Sequence, residues 1–347
     1  MKKYALLFLL VASGIAVSAQ SSRDGILYLN KSLSADAVRQ VEANTSGGGI
    51  QVTGVNASEA RIEVYVSGNN RRFSGLTKED IQKRLNEDYN FSVTVDNHKL
   101  TAIAKTKKGF HNWRESLNIS FAIFVPSATS TDLNTSGGGI SLKGLSGEQN
   151  FSTSGGGLDV KEVTGHINGH TSGGGIYVAD SKDDIELETS GGGIEALRCS
   201  GKIKLNTSGG GLKLTDLQGT ITAVTSGGGV KGEKIKGELS THTSGGNIDL
   251  EELSASLDAS TSGGNIDVEI IEPGKYVKLR NSGGRIDLRI PKNTGFNLRI
   301  NADKIKTETL SNFSGTLEEN EIDGSVNGGG IPVTVNAGSG RMNLSFK

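Results

Sequence analysis

Cysteine is almost absent from this chain. Cys199 is the only one in 347 residues, so no intrachain disulfide can hold the fold together. Aromatic residues make up 5%, with a single tryptophan, and from residue 135 onward the only ones are Phe151, Tyr177, Tyr276, Phe296, Phe313 and Phe346. Sugar platforms are built from aromatic rings, so this scarcity weighs against a carbohydrate-processing groove there. An excess of one charge is missing too. Lys and Arg number 37 against 38 Asp and Glu, a formal net charge of −1, which removes any general electrostatic case for nucleic acid or an anionic membrane as partner. Beyond the N-terminus there is no run of about 20 apolar residues to span a bilayer.

What the chain has is glycine, 50 residues of it, placed periodically. Thr-Ser-Gly-Gly begins at Thr135 and recurs at Thr153, Thr171, Thr189, Thr207, Thr225, Thr243 and Thr261, always 18 residues apart. One insertion would break such a period, so the repeats must stack in register as the coils of a solenoid. Disorder is excluded by the aliphatic columns that accompany the glycines. With Thr as position one, position six reads Ile140, Leu158, Ile176, Ile194, Leu212, Val230, Ile248 and Ile266, and position eight carries mostly Leu, Val or Ala. Two apart is one face of a strand. Position eleven (Leu145, Val163, Leu217, Ile235, Leu253, Ile271) and position fifteen (Ile167, Ile185, Ile203, Ile221, Leu239, Leu257) add further inward columns. Cys199 falls at position eleven and reads as a small buried apolar residue.

These columns predict an all-β chain, a single-stranded parallel β-helix (β-solenoid) with 18-residue coils. Parallel crossovers favour the right hand, and the column spacing does not match the six-residue period of left-handed helices. Positions fifteen and seventeen face inward, so position one should as well, making a structural Thr ladder and arguing against an ice-binding array of outward Thr. Asn247 and Asn265 replace the third glycine in two coils, which suggests a left-handed backbone there. A second turn is expected near position thirteen, where Gly147, Gly165, Gly201, Gly219 and Gly237 align.

The first residues read as an address label. Lys2 and Lys3 precede the apolar run Tyr4 to Val11, and Val17-Ser18-Ala19 resembles a cleavage site, so residues 1–19 are expected to be a signal peptide and the protein to be exported to the periplasm, outer surface or medium. Residues 20–134 hold one Thr45-Ser46-Gly47-Gly48-Gly49-Ile50 copy and a stretch without period; we expect an N-terminal coil with a capping insertion. Its one short helix should start at Thr77 as N-cap and end near Tyr89. Residues 135–347 are expected to be solenoid repeats.

Chemistry is harder to find. Asp249, Glu251, Asp267, Glu269 and Asp287 should share one wall, where like charges in register repel. Calcium is the one candidate cofactor, because oxygen clusters suit it, but Arg285 and Arg289 nearby offer a simpler neutralisation. His166 and His170 are four apart, about 13 Å on an extended chain, too far to share a metal. Lys105, Lys107 and Lys108 with Phe110, His111 and Trp113 gather in the N-terminal insertion, the candidate surface for partner recognition because loops on rigid scaffolds carry binding.

The Thr-Ser-Gly-Gly-Gly-Ile repeat, the segment Phe121-Ala122-Ile123-Phe124-Val125-Pro126 and the late Asn327-Gly328-Gly329-Gly330-Ile331 together resemble a bacterial adhesin-like family of exported domains of unknown function, over about residues 24–347. The resemblance implies a parallel β-helix and supplies no catalytic residues. The expected function is a non-enzymatic adhesin-like or cell-envelope scaffold protein that binds another envelope protein or an extracellular glycan or matrix ligand. The alternative is a polysaccharide-active, lyase- or hydrolase-like β-helix enzyme using the Asp249 to Arg289 wall.

Overall fold

The computed structural model describes residues 25–68, 76–107, 116–310 and 312–347; the expected signal peptide lies outside them. Each coil contributes two strands. A short strand such as Ile140–Lys143 or Leu158–Lys161 begins at position six, and a long one such as Ser146–Thr153 or Thr164–Thr171 ends on the next Thr. Short strands pair in parallel with short ones, Leu158 opposite both Ile140 and Ile176. Long strands pair with long ones, Ser146 opposite Thr164 and Thr164 opposite Lys182. The protein is thus a narrow sheet and a wide sheet enclosing one core, each residue stacked on its equivalent in the next coil.

The inward columns fill that core. Ile140, Leu142, Leu158 and Val160 come from the narrow sheet and Ile167, Ile185 and Ile221 from the wide one, all buried. Size is matched between coils: Gly169 sits beside Phe151, whose ring would lie 2.4 Å from any Cβ added there. Cys199 is buried, and burial pushes its thiol upward, so it behaves as a core residue. Position eleven fails once. Ile271 is exposed because the ladder shifts register between Leu250 and Leu253 and Ile270 becomes the partner of Leu253.

The glycine corner has a different cause from the one expected. Neither Asn247 nor Asn265 has positive φ, and neither do the Thr-Ser-Gly-Gly glycines. What requires glycine is close stacking at position four: a Cβ on Gly156 would lie 2.1 Å from the carbonyl oxygen of Gly138, one coil earlier. Position five is roomier and takes Asn, whose side chain continues the ladder. Asn247 Oδ1 accepts from the Asn265 N–H at 2.9 Å, and Asn265 Oδ1 from the Arg285 N–H at 2.9 Å.

Left-handed backbone lies at the opposite corner. Glycines 147, 165, 201, 219 and 237 at position thirteen have positive φ, and so does position ten, occupied by Glu162, Asp180, Arg198, Asp216, Lys234 and Glu252 at φ between 51° and 57°. Only Gly144 at the head of that column hints at it in the sequence. An L-residue pays roughly 1–2 kcal/mol in this region, partly offset against the greater chain entropy that glycine loses on folding. Glu252→Gly is therefore expected to stabilise the protein by about 0.5–1 kcal/mol, read as a higher denaturant midpoint; an unchanged or lower midpoint would contradict the assignment of strain.

Both ends of the rod are closed by changing strand direction and order. At the N-terminal end, Lys99–Thr106 and Leu117–Pro126 stack outside Gln40–Thr45 and Ile50–Val55, which lie between them and the regular coils. Antiparallel strands Ile26–Ser32, Arg61–Gly68 and Tyr89–Asp96 complete that end. The helix Lys78–Asp88 covers it, burying Ile81 and Leu85 and starting from a Thr77–Asp80 capping box. At the C-terminal end the expectation of uninterrupted repeats gives way to the same device. Ile331–Asn336 and Arg341–Phe346 slot between Val277–Asn281 and Ile286–Ile290 on one side and Phe296–Asn301 and Lys304–Thr307 on the other. The antiparallel strands Glu321–Val326 and Phe313–Leu317 then finish the wide sheet. The first and last coils in sequence are thereby sandwiched, and neither presents a bare terminal coil.

Candidate functional site

The five carboxylates of the acidic wall lie on the outer face of the narrow sheet, because their alternate neighbours Ile248, Leu250, Ile266, Val268 and Ile286 point inward. Asp249 is in register with Asp267, and Asp267 with Asp287. Cations meet most of them. Arg285 Nε is 2.5 Å from Asp287, Arg289 is 3.1 Å from Asp267 and 3.6 Å from Glu269, and Lys347 bonds Glu269. The Lys347 hydrogen bond, followed by the charges of Lys347 and Arg289, holds Glu269 below its ordinary value against a desolvation penalty. Asn343 also donates to Asp287. Among the described residues, no three His, Cys, Asp or Glu side chains converge as a metal-binding group. Asn343 and Lys347 come from the last coil, which is inserted out of order, so linear spacing could not reveal them.

Two concavities lie on the same face, one on either side of the position-seven side chains. One concavity of about 560 Å³ is floored by Gly193, Gly211 and Gly229 and flanked by Glu195, Lys213, Lys231 and Asp249. A second of about 330 Å³ shares Lys213, Lys231 and Asp249 and extends to Glu233, Glu251 and Asp267. Glycine at position five carries no side chain, while position seven carries long ones, and that contrast digs the larger concavity. The signal was present in the sequence as Gly at position five beside Lys213 and Lys231.

On the wide sheet, polar side chains bond along the rod to their equivalents. Lys204 reaches Glu186 at 2.6 Å, His166 reaches Asp184 at 3.1 Å and Arg280 reaches Asp258 at 2.7 Å. The Tyr276 hydroxyl donates to Glu238 at 2.7 Å, and that hydrogen bond pushes its ionisation up to about 12. His242 bonds Ser260 at 2.9 Å, not His170. In the insertion, Lys105 is exposed, whereas Lys107 donates to the Asn86 carbonyl at 2.5 Å in the last turn of the helix. Lys108, Phe110, His111 and Trp113 lie outside the described residues.

Two facing parallel ladders, closed at the ends and bearing charged outer walls, define an all-β solenoid-like protein with a toast-rack build. The chain belongs to the family Toastrack DUF4097, whose model matches residues 92–345. Among solved structures it is similar to a "putative cell adhesion protein" from Clostridium sporogenes, at 12% identity over 92% of this chain and 98% of that one, with a TM-score of 0.21. It is also similar to a "putative adhesin" from Bacteroides fragilis, at 13% identity over 88% of this chain and 92% of that one, with a TM-score of 0.23. No curated protein matches it. No helix among the described residues is long and apolar enough to cross a membrane.

Proposed function

We propose that this chain is an exported, adhesin-like or envelope scaffold protein that binds through its walls and catalyses no reaction. Supporting this is the way its outer charges are engaged: Arg198 with Asp180, Lys204 with Glu186 and Lys213 with Glu195 pair one coil apart, displaying fixed charge along the rod. The export signal at residues 1–19, the 18-residue right-handed coil and the recognition surface around Lys105 belong to the same reading. The same test addresses calcium on the acidic wall. The mature protein is applied to an array of glycans and matrix proteins, with and without calcium, and read at times that reveal cleavage. Saturable binding without product is expected. Product formation, abolished by Asp267→Asn, would instead establish the polysaccharide-active enzyme.

A further inference from the structure

Ten consecutive rungs of the outward ladder at position seven of the narrow sheet, which continues beyond Asp159 through Ser141 and Gln51, are Asp159, Tyr177, Glu195, Lys213, Lys231, Asp249, Asp267, Asp287, Asn343 and Lys306. Its charges are segregated. Lys213 lies next to Lys231, and Asp249 next to Asp267, although like charges in register destabilise a ladder. Opposite signs meet one coil apart at Asp180–Arg198, Glu186–Lys204 and Asp258–Arg280. Lys231 and Asp249 face each other across one ladder step, yet among the described residues neither closes an ion pair within 4.0 Å.

This order is self-complementary. A two-fold axis lying in the face along the strands, and crossing midway between Lys231 and Asp249, reverses this ten-rung stretch onto itself. It sets Lys231 opposite Asp249 of a second copy, Lys213 opposite Asp267, Tyr177 opposite Asn343 and Asp159 opposite Lys306. An isologous dimer needs this property of its surface. We propose that the narrow-sheet face is a homodimer interface, occupied by a second copy of this chain running antiparallel. Two contacts oppose it and are answered locally. Glu195 meets Asp287, which Arg285 already holds at 2.5 Å, and Glu233 at position nine meets Glu251, with Lys234 2.7 Å from Glu233. The midpoint falls on the ridge at Lys231 and Asp249, with a concavity on either side that gives the long side chains of the second copy room to enter. Nine ladder steps and a four-residue strand give a face of about 43 Å by about 13 Å, roughly 1,100 Å² over both copies and near the low end for stable association. A micromolar dimer weakened by salt is the expected species.

The test uses charge reversal and mixing. Wild-type protein should sediment as a concentration-dependent dimer at low salt and dissociate as salt rises. The double variant Lys213→Glu/Lys231→Glu, and separately Asp249→Lys/Asp267→Lys, should each raise the dissociation constant at least about 100-fold, since juxtaposed like charges cost several kcal/mol. Mixed together, the two variants should associate with near wild-type affinity, because every reversed residue then meets its opposite. These side chains point into solvent, and matching melting curves would establish that the variants are folded. The proposal fails if the wild type stays monomeric at 100 μM or so, if its dimer ignores salt and both reversals, or if the folded variants do not associate on mixing.

Discussion

Gly246→Ala is expected to destabilise the protein by about 3 kcal/mol, at the upper end of what overpacking costs, whereas Gly245→Ala, one residue earlier, should be nearly silent. A Cβ on Gly246 would lie 2.1 Å from the Gly228 oxygen, 2.4 Å from its carbonyl carbon and 2.5 Å from the Gly229 nitrogen. Those are backbone atoms tied into the ladders, so no rotamer change relieves the clash and the two coils must separate. On Gly245 the nearest atom to the new Cβ would be the Gly227 oxygen at 3.5 Å, an ordinary contact. Equilibrium unfolding of both variants reads the difference. Equal stabilities would show that the corner glycines serve conformational freedom rather than close approach.

That contrast also marks where the sequence stops being readable. Periodicity reveals which residues are equivalent and, through alternation, which face inward; the buried columns at positions one, six, eight and fifteen follow from it. It does not reveal how closely equivalent backbones approach, so glycine required by stacking at Gly156 looks like glycine required by φ. The left-handed column at position ten is masked for a related reason. Six charged residues there accept the strain, and in the chain they look like any exposed turn. At the ends, where the coils Ile331–Asn336 and Gln40–Thr45 sit out of sequence order, linear position ceases to predict the neighbour altogether. The acidic wall shows both sides of this. Its carboxylates and Arg285 and Arg289 were visible at ladder spacing, while the Lys347 and Asn343 contacts depend on the reordered final coil.

The Thr ladder supplies the second large effect, and the chain contains its own control. Thr225 is buried, donates its hydroxyl to the Gly210 carbonyl at 2.7 Å and accepts from the Gly228 N–H at 3.3 Å, tying one coil's corner to the next. Thr225→Val preserves shape and removes the partner of two half-buried backbone groups. A cost of about 1–3 kcal/mol is expected from the lost hydroxyl. Thr225→Ser keeps both bonds and loses one buried methyl, about 0.8 kcal/mol, so the serine variant should be the more stable of the two. Asn281, which stands at position one after the irregular coil, shows that the bonding pattern rather than threonine itself is what the site demands. Its amide donates to the Gly264 carbonyl at 2.8 Å and accepts from the Gly284 N–H at 3.0 Å, the same two roles played by different chemistry. If the valine variant melted with the wild type, the ladder would be held by its methyl groups and backbone pairing alone, and the inward hydroxyls would need another explanation.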